Sequence, residues 1–129
     1  MMGTKTEHYQ LNQWEPGDNF LRVDFNEDNA KIDAALASKY DLIFGSYQGN
    51  DAASQFISLG FTPKAVFVFS SSGQMATEDT VRYMGGFAVD SMDYPSGVII
   101  SENGFTVEYN RDRRLWQNSS STHYYMAIR

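Results

Sequence analysis

The sequence predicts a mainly β protein: an N-terminal extended segment and one short helix, followed by a compact antiparallel β-sandwich. Three observations carry this. Short runs rich in Val, Ile, Phe and Tyr recur from residue 42 onward, separated by turn clusters every ~8–12 residues. No helical pattern lies between those runs, so a parallel βαβ sheet is not expected. The clearest stretch, Asp51 to Ser70, reads as strand, corner, strand. Its corner, Gly60-Phe-Thr-Pro63, combines a residue that tolerates positive φ with one that fixes φ and donates no ladder hydrogen bond.

Taken in order, residues 1–22 are polar and aromatic without a period. Glu15-Pro-Gly-Asp18 marks a turn, and Trp14 needs a surface to lie on, which a neighbouring subunit would supply. Residues 24–38 form the expected helix, with Asp24 as N-cap and Glu27 completing a capping box. Phe25, Asn29, Ile32 and Leu36 are spaced 4-3-4, the seam of a short coiled coil. Two heptads do not hold a coiled coil alone. The other reading of this stripe is an amphipathic helix packed on its own domain. Residues 1–40 are thus expected to serve oligomerisation or attachment, and residues 41–129 to form the sandwich.

Strands are expected near 42–48, 54–59, 64–70, 82–89, 97–101, 104–109 and 123–128. The run from Lys64 to Phe69 is nearly all apolar, which predicts a strand covered on both faces or central in the sandwich. Glu102-Asn-Gly104 is a strong signal for a two-residue hairpin loop. Met84-Gly-Gly-Phe87 lies inside a strand pattern and marks a bulge or a close backbone approach rather than a phosphate cradle. The expected core comprises Ile57, Leu59, Phe61, Val66, Val68, Ile99, Phe105, Val107 and Met126.

Composition limits the function classes. Of 129 residues, 42% are hydrophobic and 20% charged, ordinary values for a globular chain. Aromatic residues reach 15%, which suits both strands and contact surfaces. A net charge of −6 argues against nucleic acid as a partner, since that role needs a basic face. No apolar run approaches ~18 residues, so no membrane insertion is expected, and the N-terminal residues lack the apolar centre of a secretory signal. Cysteine is absent, which removes disulfides and thiolate metal sites.

No catalytic constellation emerges. His8 and His123 lie in different segments, and no nucleophile elbow, zinc-protease, nucleotide-loop or calcium-loop spacing is present. The expectation is a non-enzymatic protein with no cofactor and no metal. Two loop regions remain as candidate ligand contacts. Asp90, Asp93 and Tyr94 form one; its carboxylates serve either a sugar hydroxyl or calcium, or are simply solvated. Arg111-Asp-Arg-Arg114 with Trp116 forms the other: Arg111, Arg113 and Arg114 supply forked donors and Trp116 a stacking face, unless the segment is a solvated hairpin tip. Asn118-Ser-Ser120 matches a glycosylation sequon, a common chance pattern.

Leu11-Asn-Gln-Trp-Glu-Pro-Gly-Asp18, followed by Leu21 to Leu36, resembles the N-terminal segment of tail-fibre and baseplate-associated proteins of phages and prophages in Gram-positive bacteria. Gly45-Ser-Tyr47, Leu59-Gly-Phe-Thr-Pro-Lys-Ala-Val66, Asn103-Gly-Phe-Thr-Val107 and Tyr124-Tyr-Met-Ala-Ile128 resemble the short C-terminal domain many of them carry. The same strand order is similar to H-type lectins, trimeric sandwiches that bind sugars. The resemblance implies a virion-tail protein made in the bacterial cytoplasm, a homotrimer with Trp14, Phe25, Asn29, Ile32 and Leu36 at its interface, in contact with other phage tail proteins. It further implies binding of a host cell-surface glycan, or else a purely structural trimerising and capping role. The chain lacks a long shaft and the His-x-His pairs of metal-binding fibre tips, His123 being followed by Tyr-Tyr.

Overall fold

A computed structural model describes residues 3–129. The chain divides between Lys39 and Tyr40 into two units. The fold is mainly β: the described residues form one helix and eight strands in two antiparallel sheets.

In the first unit, a short bridged loop pairs Lys5 with Asn12, and α1 spans Arg22–Ala37. The loop is tied to the helix through Asn12, whose backbone N–H and side-chain amide each donate to Asp28 Oδ1 at 3.0 Å. The expected capping box is absent. Leu21 occupies the cap position with no side-chain hydrogen bond, and Asp24 lies buried inside the first turn. Tertiary packing starts the helix earlier than the local cap signal: Trp14 stacks on Phe25 at 5.4 Å and meets Phe20 at 4.8 Å. Trp14 therefore finds its surface within its own unit. Ile32 and Leu36 are exposed, as is Phe25 beyond its contact with Trp14.

In the second unit, β1 (Leu42–Gln48), β8 (Thr122–Ile128), β3 (Ala65–Ser70) and β4 (Gly86–Val89) form one sheet in the order β1-β8-β3-β4. The other has β2 (Ser54–Ser58), β6 (Gly104–Asn110) and β5 (Val98–Ser101) in the order β2-β6-β5, with the two-residue β7 (Leu115–Trp116) pairing to β6. The sheets enclose one core. Val66, Val68, Ala88 and Ala127 from the first meet Val98, Phe105 and Val107 from the second, all without exposed surface. Ile57, Leu59 and Phe61 pack against them.

Two expected core positions face the other way. Val98 is buried and Ile100 packs on the core, so Ile99 between them points outward. On β8 the inward residues are His123, Tyr125 and Ala127, not Met126. Both strands are apolar on both parities, so hydrophobicity alone does not choose the face. The strand Ala65–Ser70 is central in its sheet but covered on one side only: Phe67 remains 37% exposed on the outer face.

Three local readings are refined. The hairpin loop is Glu102-Asn103, because Ser101 pairs with Gly104. Asn103 takes the positive φ of 66°, while Gly104 is required by space: a Cβ there would sit 2.1 Å from the Ile57 carbonyl oxygen. The strand expected over 82–89 begins only at Gly86. Gly85, as the glycine pair implied, marks a close backbone approach, since a Cβ there would meet the Val68 carbonyl oxygen at 2.2 Å. Residues 111–114 stand exposed at the hairpin tip, as the solvated-tip reading expects, but the polar run after Trp116 does not share that exposure. Gln117, Asn118 and Ser119 are buried, and the Asn118 amide donates to Asn50 Oδ1 at 2.7 Å and to the Ala52 carbonyl at 2.9 Å.

Candidate functional site

The hairpin from β6 to β7 carries the basic cluster. Asn110 pairs with Leu115, which leaves Arg111 to Arg114 as the loop. Asn110 Oδ1 accepts from the Arg113 backbone N–H at 3.1 Å, capping the turn, and the Arg114 N–H returns to the Arg111 carbonyl at 3.1 Å. Arg114 closes the loop at φ 61°, a left-handed conformation that costs a side-chain-bearing residue about 1–2 kcal/mol.

A second loop meets this hairpin. Between β3 and β4 the chain folds back on itself, with Ala76 bridged to Tyr83. Tyr83 then docks on β7: its N–H donates to the Arg114 carbonyl at 2.9 Å, and its carbonyl accepts from the Trp116 N–H at 2.9 Å. These two bonds place Arg82 over the Trp116 ring, 4.4 Å from its centroid. The other neighbour of Trp116 is Tyr109, edge-on at 5.1 Å, whose hydroxyl accepts from Arg111 Nε at 2.8 Å.

The result is an open cleft of about 660 Å³ lined by Asp79, Thr80, Val81, Arg82, Arg111, Arg114 and Trp116, within the size range of small-ligand sites. Three of the chain's ten basic residues converge on it. Among the described residues the one ion pair is Arg113–Glu108, at 3.6 Å, so Arg82, Arg111 and Arg114 form no ion pair there, although Asp79 lines the same cleft and the Asp51 charge acts on Arg111. Guanidinium groups beside an indole ring are a set that can hold an anion. The stacking face expected of Trp116 is covered on one side by Arg82.

Of the sequence-derived candidates, Arg111, Arg114 and Trp116 are brought together. Arg113 turns away and donates to Ser96 Oγ at 2.9 Å, tying the hairpin to the turn before β5. Its divergence from Arg114 comes from the turn, not from strand alternation. Asp90 lines a separate cleft with Met92 and Pro95. Asp93 and Tyr94 line neither cleft, and Tyr94 is 91% exposed. The two loop regions therefore do not combine within one chain. Arg82 is the basic residue of the cleft that the sequence does not point to. It is the one basic residue between Lys64 and Arg111, a signal that has no meaning until the fold brings residue 82 to residue 116.

A second polar cluster is buried behind this hairpin. His123 stacks on Tyr47 at 5.1 Å, and its Nε2 lies 3.1 Å from the Ser119 carbonyl. The Ser121 hydroxyl lies 3.2 Å from the same nitrogen, and the Met84 backbone also acts on the ring. Burial holds the His123 pKa below its ordinary value. The Tyr47 hydroxyl donates to the Gln117 carbonyl at 2.6 Å, and burial pushes its pKa up. These groups are sealed from solvent and act as internal fasteners. The Asn118 sequon belongs to the same cluster; its fully buried amide is committed to Asn50 and Ala52.

Among the described residues, no group of three or more His, Cys, Asp or Glu is placed to hold a metal ion, and no helix is long and apolar enough to cross a membrane. Compared with protein-family models, with curated proteins and with solved structures, the chain matches none.

Proposed function

We propose that this chain is a non-enzymatic component of a phage or prophage tail, whose β-sandwich binds an anionic carbohydrate on the host cell surface. The observation that carries the ligand class is the convergence of Arg82, Arg111 and Arg114 on Trp116, unpaired with carboxylates, in a chain of net charge −6. Cations kept together in an acidic protein favour an anion, and the aromatic wall beside them suits a sugar ring. The tail assignment rests on the resemblance of residues 11–36 and of the strand-and-turn pattern after residue 45. The exposure of Ile32 and Leu36 leaves them open to the subunit contact which that resemblance implies.

A pelleting assay with Gram-positive cells, and with their isolated acidic and neutral wall polymers, tests this reading. Binding to cells and to the acidic polymer is expected, falling at least tenfold in Arg82→Ala. Absence of binding by the folded protein to any wall fraction, or binding that Arg82→Ala leaves unchanged, would refute it. A purely structural role in assembly and capping is favoured by a different observation, the exposed apolar face of the four-stranded sheet.

A further inference from the structure

We propose that copies of this chain associate through the outer face of the β1-β8-β3-β4 sheet. Phe44, Met126, Phe67 and Phe87 stand in register across all four strands, flanked by Leu42 and Tyr124. Phe44 is 69% exposed, Leu42 53%, and Phe87 and Tyr124 both 43%. The Phe67 and Phe87 rings already pack at 4.5 Å, so the face is ordered rather than a scatter of loose side chains.

The occupant follows from charge and area. None of the outward positions on these four strands carries a charge, although one-fifth of the chain is charged. A partner recognised by ion pairs has nothing to meet here. A second copy brings the same uncharged surface, and the repulsion between two chains of net charge −6 is kept away from the contact. With aromatic side chains of about 200 Å², the exposed fractions amount to about 500 Å² of apolar surface. That is at the upper end of what monomers leave uncovered. Two such faces bury about 1,000 Å² together, the area at which a specific contact between copies becomes possible.

This face also supplies what the helix lacks. The seam at Ile32 and Leu36 is two heptads long, too short to hold copies together by itself. Association therefore depends on the sheet, and the helix adds to it.

The test compares full-length variants by light scattering at tens of micromolar. The parent is expected to be oligomeric. Phe44→Glu/Phe87→Glu is expected to be monomeric with unchanged far-ultraviolet circular dichroism, because both side chains are exposed in a single chain. Ile32→Glu/Leu36→Glu is expected to remain oligomeric. A monomeric parent, or a folded Phe44→Glu/Phe87→Glu protein with the parent's mass, overturns the proposal. Should the charged variant unfold, hydroxyl-radical footprinting of the unmodified chain decides. Protection of Phe44, Phe87 and Met126 that rises with protein concentration supports association. Protection independent of concentration places the chain's own N-terminal unit on the face and overturns it, as does no protection at all.

Discussion

Arg114 and His123 are the two residues whose local chemistry makes the sharpest demands. Arg114 holds a left-handed backbone at φ 61° that glycine adopts without strain. A residue kept there at a cost is kept for its side chain, which points to the cleft. Arg114→Gly is expected to leave the melting temperature unchanged or raise it, by up to about 1 kcal/mol of stability, while weakening ligand binding. A marked loss of stability would mean that the guanidinium holds the hairpin together instead. His123 is fully buried, stacked on Tyr47 and against the Ser119 carbonyl. Its folded pKa lies below the ordinary value, so the native state resists a proton that the unfolded chain accepts below about pH 6.5. Stability should be fully present above that pH and fall as the solution is acidified below about 6.5, by at most about 1.4 kcal/mol per pH unit. Denaturant titrations across that window check it, and His123→Gln should flatten the slope. A slope identical in the variant would place the acid sensitivity elsewhere.

At the scale of elements, β6 is the centre of the sandwich. It pairs with β2, β5 and β7, and contributes Phe105 and Val107 to the core. Phe105→Ala should cost about 3–5 kcal/mol by denaturant unfolding; a loss below about 1 kcal/mol would contradict the packing. Gly104→Ala should cost on the order of 1–3 kcal/mol, because the added carbon meets the backbone of β2. The inward parity of β5 is tested by a pair: Val98→Ala should destabilise more than Ile99→Ala, although isoleucine is the larger residue. These elements differ in how readable they were. Strand positions, the Asn-Gly hairpin and the core role of Phe105 follow from alternation and turn chemistry, both local properties. The facing of Ile99 and Met126 was not legible, because β5 and β8 carry apolar residues on both parities and only pairing with neighbours selects one. The helix start was misread for a related reason. The Asp24–Glu27 pattern is a sound local signal, but Trp14 packing on Phe20 and Phe25 draws the helix back to Arg22.

For the whole molecule, the cleft exists because two loops distant in sequence share β7. Three of its seven lining residues, Arg111, Arg114 and Trp116, were legible as the one basic cluster beside an aromatic residue. Arg82 and Asp79 were not, because their place depends on Tyr83 docking against Leu115 and Trp116, a contact between segments 33 residues apart. The division between Lys39 and Tyr40 leads to a further expectation: residues 40–129 alone should give a cooperative unfolding transition, since the core in that unit draws only on its own strands. Non-cooperative melting of that fragment would contradict it. The central claim, that the cleft binds anionic carbohydrate, is tested most directly on an array of bacterial surface polysaccharides probed with the full-length folded protein. Binding is predicted to be confined to acidic glycans, to weaken as salt is raised, and to fall at least tenfold in Arg82→Ala and Arg114→Gly while both variants keep the parent's fold. Binding only to neutral glycans, undiminished binding by both variants, or no binding to any polysaccharide by folded protein would contradict it.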